Sequence, residues 1–300
     1  MRDLSGTRVL VIGGTGMLGH KVWQVFRERF DTWVTVRGHQ DYSGTGLFTG
    51  DRVIADVRVD DFDSVVRACA VARPAVVVNC VGIVKQLKAA ADPLPSLSVN
   101  ALFPHRTAAL ANALGARMIH ISTDCVFSGT RGNYSERDPP DAGDLYGRTK
   151  LLGEISGPGC LTLRTSIVGR ELTATTGLAE WFLAQRGTRA KGYTHARFSG
   201  LTTRALAMLL GDVIERHPAL EGVYHVASQP ISKYDLLCKL NQAYAAGVDI
   251  EPSEDVRIDR TLDGSAFQQA TGLTIRGWDE MIADMASDPT PYEEWRRGRV

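Results

Sequence analysis

The stretch Arg8-Val9-Leu10-Val11-Ile12-Gly13-Gly14-Thr15-Gly16-Met17-Leu18-Gly19 decides the reading of this chain. An apolar, β-branched run that ends on clustered glycines and passes into a helical pattern reads as a strand, a tight turn and a helix. From Gly13 the turn fits G-x-x-G-x-x-G, and from Gly14 it fits G-x-G-x-x-G. Glycines suit the turn, let the backbone approach a pyrophosphate, and let the helix pack close on the strand. The helix N-terminus adds free N–H groups and the positive end of a dipole. Gly13, Thr15, Gly16, Met17, Leu18 and Gly19 are therefore the candidate dinucleotide-binding turn.

Outward from that turn, short β-branched runs alternate with longer helical patterns, as in βαβ units and a parallel sheet. Strands are expected at 8–12, 32–36, 52–55, 75–80, 117–122 and 161–164, with crossover helices at 17–29, 61–72, 96–114 and 145–155. Val76-Val77-Val78 is apolar without alternation, as in a strand covered on both faces. Beyond residue 165 the order loosens into helical patterns at 178–185, 203–216, 232–245 and 277–285. The expected fold is α/β: a Rossmann doubly wound parallel sheet over 1–165. A smaller substrate lobe over 166–300 sends one strand, 222–226, back to the sheet.

Composition excludes several function classes. The 300 residues carry 34 Lys+Arg against 34 Asp+Glu, so no broad basic field exists to bind nucleic acid or an anionic membrane. The apolar run 75–84 is far short of the roughly 20 residues that span a bilayer. Met1-Arg2-Asp3-Leu4-Ser5-Gly6 carries charge where a secretion signal needs an apolar segment. Five cysteines, odd in number and without a C-x-x-C pair, indicate neither a disulfide framework nor a zinc site. A reduced, cytoplasmic protein without a metal is expected. Glycine is in surplus, 30 of 300, and four of these lie in the first turn.

The end of the second strand chooses the cofactor, because an acid there meets the 2′-OH of NAD whereas an arginine meets the 2′-phosphate of NADP. The strand ends in Arg37-Gly38-His39, with no carboxylate before Asp41. NADP is favoured and NAD stays open, since Arg37 also fits a solvated strand end. Asp56, past the third strand, is placed to accept from the adenine amine. Tyr146 and Lys150 lie four apart and share one face of a helix, where an ammonium would draw the phenol pKa down for proton transfer. Such pairs arise by chance; position lifts this one, at the start of a crossover helix, with Ser122-Thr123-Asp124-Cys125 at the end of the fifth strand.

These residues resemble an extended short-chain dehydrogenase/reductase, and most closely the dTDP-4-dehydrorhamnose reductase branch. The resemblance also rests on Ser98-Val99-Asn100-Ala101, His120-Ile121-Ser122-Thr123-Asp124-Cys125-Val126-Phe127, Tyr146-Gly147-Arg148-Thr149-Lys150, Leu163-Arg164-Thr165-Ser166 and Phe198-Ser199-Gly200-Leu201-Thr202-Thr203. It implies NADPH-dependent reduction of a nucleotide-linked 4-keto-6-deoxy sugar. Tyr146 would give the proton, Lys150 would hold the nicotinamide ribose, and Thr123 would bond the carbonyl oxygen. Asp124 would contact the sugar, Cys80, Val81 and Gly82 would line the cofactor, and Asn100 would support Lys150. A homodimer through helices 96–114 and 145–155 is the family-level expectation.

One departure opens alternatives. Cys125 stands where those reductases often carry Tyr. Dehydratases of this fold use Glu or Lys there, so water elimination is disfavoured. The GDP-fucose synthases use a Cys there with a distant His in 3,5-epimerisation, which leaves open an epimerase role for Cys125 with His195, or a buried structural thiol. Relatives that are cofactor-binding regulatory subunits, including one that binds methionine adenosyltransferase, leave a non-catalytic role open as well. Lys85, Gln86 and Lys88 are candidates for the substrate diphosphate. Glu180-Trp181-Phe182 reads as core packing rather than a base-stacking platform, Trp278 and Trp295 as structural, and Arg296, Arg297 and Arg299 as a solvated tail.

Overall fold

The structure, a computed structural model, describes residues 5–38, 46–85, 88–173 and 175–297. His39, Asp41, Gln86 and Arg299 from the sequence reading lie outside the described residues. The first half runs β1 (Ser5–Ile12), α1 (Gly19–Phe26), β2 (Phe30–Thr35), β3 (Val53–Ile54), α2 (Phe62–Ala72) and β4 (Val76–Asn79). A short α3 (Pro93–Ser96) continues through wider π-type turns at Leu97–Leu102 into α4 (Phe103–Ala113). Then come β5 (Arg117–Thr123), one 3-10 turn at Asp124–Val126, α5 (Leu145–Leu152) and β6 (Cys160–Thr165).

The second half holds short strands β7 (Ile167–Val168), β8 (Arg189–Tyr193), β9 (Ala196–Phe198) and β10 (Leu201–Thr202), with α6 (Leu178–Leu183) between β7 and β8. It continues through α7 (Thr203–Arg216), β11 (Gly222–His225), β12 (Ile231–Ser232), α8 (Lys233–Ala243), β13 (Asp249–Ser253) and β14 (Ile258–Asp259). Helices α9 (Ser265–Thr271), α10 (Trp278–Ala286) and α11 (Tyr292–Arg297) close the chain.

Seven strands form one parallel sheet in the order β11-β6-β5-β4-β1-β2-β3. The order reverses between β1 and β4, and in open sheets of this kind a ligand crevice lies outside the strand ends at that switch point. Val9 and Val11 of β1 enter one apolar layer, and Leu10 and Ile12 the other, because successive side chains point to opposite faces. Both faces are covered by helices, which is why the strands read as unbroken apolar runs. The layer around Val9 extends to Leu206, Phe267 and Tyr292, so residues beyond 165 share a core with the sheet. As expected, β11 returns to the sheet beside β6.

Several expectations need correction. Helix α1 stops at Phe26 rather than 29, and the 96–114 segment is not one regular helix. The two-residue strand β3 was read, at 52–55, whereas β7, β10, β12, β14 and α9 went unread, because elements this short show little periodicity. The arginine-rich end is not wholly a solvated tail: Arg296 pairs with buried Glu180 at 2.6 Å, and Tyr292 is fully buried. The Tyr292 hydroxyl meets His20 Nε2 at 2.8 Å, while His20 Nδ1 meets the Gly16 carbonyl at 2.8 Å. The last helix thus braces the back of the glycine turn. Glu180 and Phe182 are buried, and Trp278 is buried with its indole N–H on the Gln229 carbonyl, so the packing reading holds for these three, but it fails for Trp181, which is exposed. No helix among the described residues is long and apolar enough to cross a membrane.

Candidate active site

A cleft of about 420 Å³ opens at the switch point, lined by Thr15–Leu18, Cys80–Lys85, Ile121, Ser122, Tyr146, Lys150 and, on the far wall, residues 165–168 and 171–173. Its glycines act for different reasons. Gly13 has φ +88°, which a side chain rarely adopts, and its N–H donates to the Thr35 hydroxyl at 3.1 Å. A Cβ on Gly19 would lie 2.0 Å from the Gly13 carbonyl oxygen, so glycine alone lets α1 start this close to β1. A Cβ on Gly16 would meet nothing nearer than 3.4 Å, and Gly16 borders the cleft. No side chain caps the first turn of α1. The cradle therefore offers unscreened backbone to an anion, and it fits the pyrophosphate of a dinucleotide.

Helix α5 is anchored at its start by Asp144, whose Oδ1 accepts from the Gly147 N–H at 2.8 Å. Its Oδ2 pairs with Lys85 at 2.6 Å. A Cβ on Gly147 would lie 2.2 Å from the Cys125 carbonyl oxygen, so this glycine lets α5 abut the turn after β5. That contact sets Tyr146 near Thr123. Thr123 itself accepts from the Cys125 N–H at 3.1 Å and donates to Asp124 Oδ1 at 3.2 Å.

The structure corrects the expectation for the Tyr146 phenol. Burial, reinforced by Cys125, holds it above the ordinary phenol range, and the Thr123 hydroxyl opposes only in part. Tyr146 is a protonated acid here. Lys150 donates to the Ile121 carbonyl at 2.7 Å and lies 3.4 Å from His120 Nε2. Burial brings its pKa down to about 8, with Glu154 acting against the fall. Glu154 also accepts from Ser122 at 2.7 Å and pairs with Arg164 through both oxygens at 2.8 and 2.7 Å, which fixes the strand end under the site.

Asn100 lies on the π-type turns and clamps the loop after β4. Its Oδ1 accepts from the Ile83 N–H at 2.9 Å, while its Nδ2 donates to the Ile83 carbonyl at 3.1 Å and to Thr149 at 3.4 Å. This links the wall formed by Cys80, Val81 and Gly82 to α5. Burial pushes the Cys80 thiol up to about 12, so it stays neutral. Arg37 is exposed at the end of β2 and borders the cleft. Asp56 is exposed, at φ +56°, and does not border it.

Next to Thr123, burial raises the Asp124 carboxyl, against the pull of Lys233 and Arg260. The Cys125 thiol is pushed up to about 12 by burial and by Asp124. His195 faces Glu254 at 3.6 Å and is not among the described residues that line the cleft. Sequence reasoning missed Lys233, the first residue of α8, which reaches the cleft with its ammonium 3.7 Å from the centre of the Phe198 ring. It also missed Ser122 as a cleft residue and Glu171, whose Oε2 accepts from the Gly177 N–H at 2.7 Å. Lys233 carried no motif, whereas Ser122 was quoted in the cluster at the end of the fifth strand but given no role of its own. The described residues hold no cluster of three metal-ligating side chains.

Known proteins resemble this chain in sequence and in fold. Methionine adenosyltransferase 2 subunit beta of Danio rerio is 29% identical over 301 residues, covering 95% of this chain and 88% of its own. A dTDP-4-dehydrorhamnose reductase of Streptomyces griseus is 34% identical over 149 residues, 49% of this chain and 43% of its own. The crystal structure of dTDP-4-dehydrorhamnose reductase from Bacillus anthracis in complex with NADP shares the fold, with a TM-score of 0.77 at 19% identity over 93% of this chain and 98% of that one. The family model described as RmlD substrate binding domain matches residues 7–290, and the chain belongs to that family.

Proposed function

We propose that the protein is an NADPH-preferring reductase of a nucleotide-linked 4-keto-6-deoxy sugar, acting in polysaccharide or glycosylated-metabolite biosynthesis. The observation that carries this reading is the placement of Tyr146 and Lys150 together on the cleft that the glycine turn also borders. Thr15–Leu18 would hold the pyrophosphate and Arg37 the 2′-phosphate, while Lys150 would hold the nicotinamide ribose. A dinucleotide held by these residues would supply a hydride for the carbonyl carbon. Tyr146, kept protonated by burial, delivers its proton to the carbonyl oxygen, and Thr123 steadies the charge that develops there. Lys233, which borders the cleft, and Asp124, which interacts with it, would serve as donor and acceptor for sugar oxygens.

The likeness to methionine adenosyltransferase 2 subunit beta favours a second reading, a dinucleotide-binding regulatory subunit. Intact Tyr146, Thr123 and Lys150 support chemistry over that role. The protonated Cys125 thiol, and His195 turned to Glu254, give less support to epimerisation. Exposed Leu97, Leu102 and Leu152 on the α4 and α5 side support a homodimer, which light scattering would test. NADPH oxidation across dTDP-, GDP- and UDP-linked 4-keto sugars, with NADH alongside, tests the reductase reading. Turnover of at least one sugar is expected, and dinucleotide binding without turnover of any would favour the regulatory one.

A further inference from the structure

Beneath Lys150 lies a buried polar pair that the reductase reading does not use. Asn79 of β4 and His120 of β5 are register partners, and both are essentially inaccessible to solvent. The Val81 N–H donates to Asn79 Oδ1 at 3.0 Å, which fixes which end of the amide is the oxygen. Asn79 Nδ2, a donor only, then faces His120 Nδ1 at 3.1 Å, so Nδ1 must be the accepting, unprotonated nitrogen. A neutral imidazole with a bare Nδ1 carries its proton on Nε2, and Nε2 is the atom 3.4 Å from Lys150 Nζ.

An ammonium is a donor only, so it opposes that N–H; an amine has a lone pair to receive it. We propose that Asn79 locks His120 as the Nε2–H tautomer, and that His120 is a positioning residue that favours the amine form of Lys150. The surroundings agree. His120 is held neutral by burial, with Lys150 and His105 of α4 both acting against a charge on it. Thr162, its register partner on β6, is occupied with the Ile155 backbone, donating at 2.7 Å and accepting at 3.1 Å. Glu154 is the charged group that favours the ammonium, and burial opposes it. A proton released by Lys150 passes to solvent.

The inference deepens the reading of Lys150 in the proposed reductase, but its test needs no cofactor and no turnover. Of seven lysines labelled with ¹³C at Cε, the signal missing in Lys150→Arg is that of Lys150. Asn79→Ala frees the imidazole to turn its bare Nε2 towards Lys150. The Lys150 midpoint is then expected to rise by about one pH unit, roughly a tenfold loss of amine at fixed pH. In a His120→Phe background the same change is expected to leave the midpoint in place. Asn79→Asp, which keeps an acceptor for the Val81 N–H, is expected to raise the midpoint more with His120 present than in the His120→Phe background, and carries the test should Asn79→Ala not fold. Long-range ¹H–¹⁵N spectra are expected to show neutral His120 with its proton on Nε2. An Nδ1–H tautomer, or a midpoint that moves equally with and without His120 or does not move, would overturn the proposal.

Discussion

The Asn100 carbonyl oxygen and Gly153 stand so close that a Cβ on Gly153 would lie 1.8 Å from that oxygen. Glycine at this position lets the end of α5 press on the π-type turns, while the Asn100 side chain holds the loop after β4. Gly153→Ala is expected to destabilise the fold by about 1–3 kcal/mol, the usual cost of overpacking. Gly143→Ala, where a Cβ meets nothing within 4 Å, is expected to stay within about 0.5 kcal/mol. Urea midpoints of the two variants check this, and equal midpoints would contradict the packing argument.

Gly16 and Gly19 separate binding from folding. Gly19→Ala drives a methyl into the Gly13 carbonyl and is expected to lower the thermal midpoint. Gly16→Ala is expected to keep the midpoint within a few degrees and to weaken dinucleotide binding at least tenfold, because its methyl borders the cleft. Thermal melts with titration calorimetry distinguish the two effects.

Cofactor choice is expected to follow Arg37. A charge-assisted hydrogen bond contributes about 1.5–3 kcal/mol, or roughly 10- to 100-fold in affinity. Arg37→Ala should lose that much NADPH affinity and leave NADH binding nearly unchanged. Equal losses for both cofactors would show that Arg37 does not meet the 2′-phosphate.

The pH profile is expected to follow Lys150. Its pKa, lowered to about 8 by burial, leaves the ammonium present below pH 8 and lost above it. Tyr146, raised, stays protonated throughout that range. If reduction needs the ammonium on the ribose, kcat/KM should be level to about pH 7.5 and fall nearly tenfold per unit above pH 8.5. A level profile to pH 10 would remove Lys150 from that role.

The parallel sheet and its glycine turn were legible because both leave local marks: unbroken apolar strands, and glycines at a fixed spacing after the first. Tyr146, Lys150 and Thr123 were legible as motifs, yet their environment was not. Spacing places Lys150 on the Tyr146 face of α5, whereas burial and the Ile121 carbonyl decide its charge and direction. Lys233 reaches the cleft only because α8 packs there, and nothing near it in sequence marks that. Arg296 read as solvated because its partner Glu180 lies 116 positions away.

The most direct test of the central claim is the rate of NADPH-dependent keto-sugar reduction by Tyr146→Phe, measured with the sugar nucleotide that the wild type turns over best. Removing the proton donor should lower kcat by about 10²- to 10⁴-fold while dinucleotide affinity stays within a few-fold. A wild-type rate in Tyr146→Phe would contradict the account.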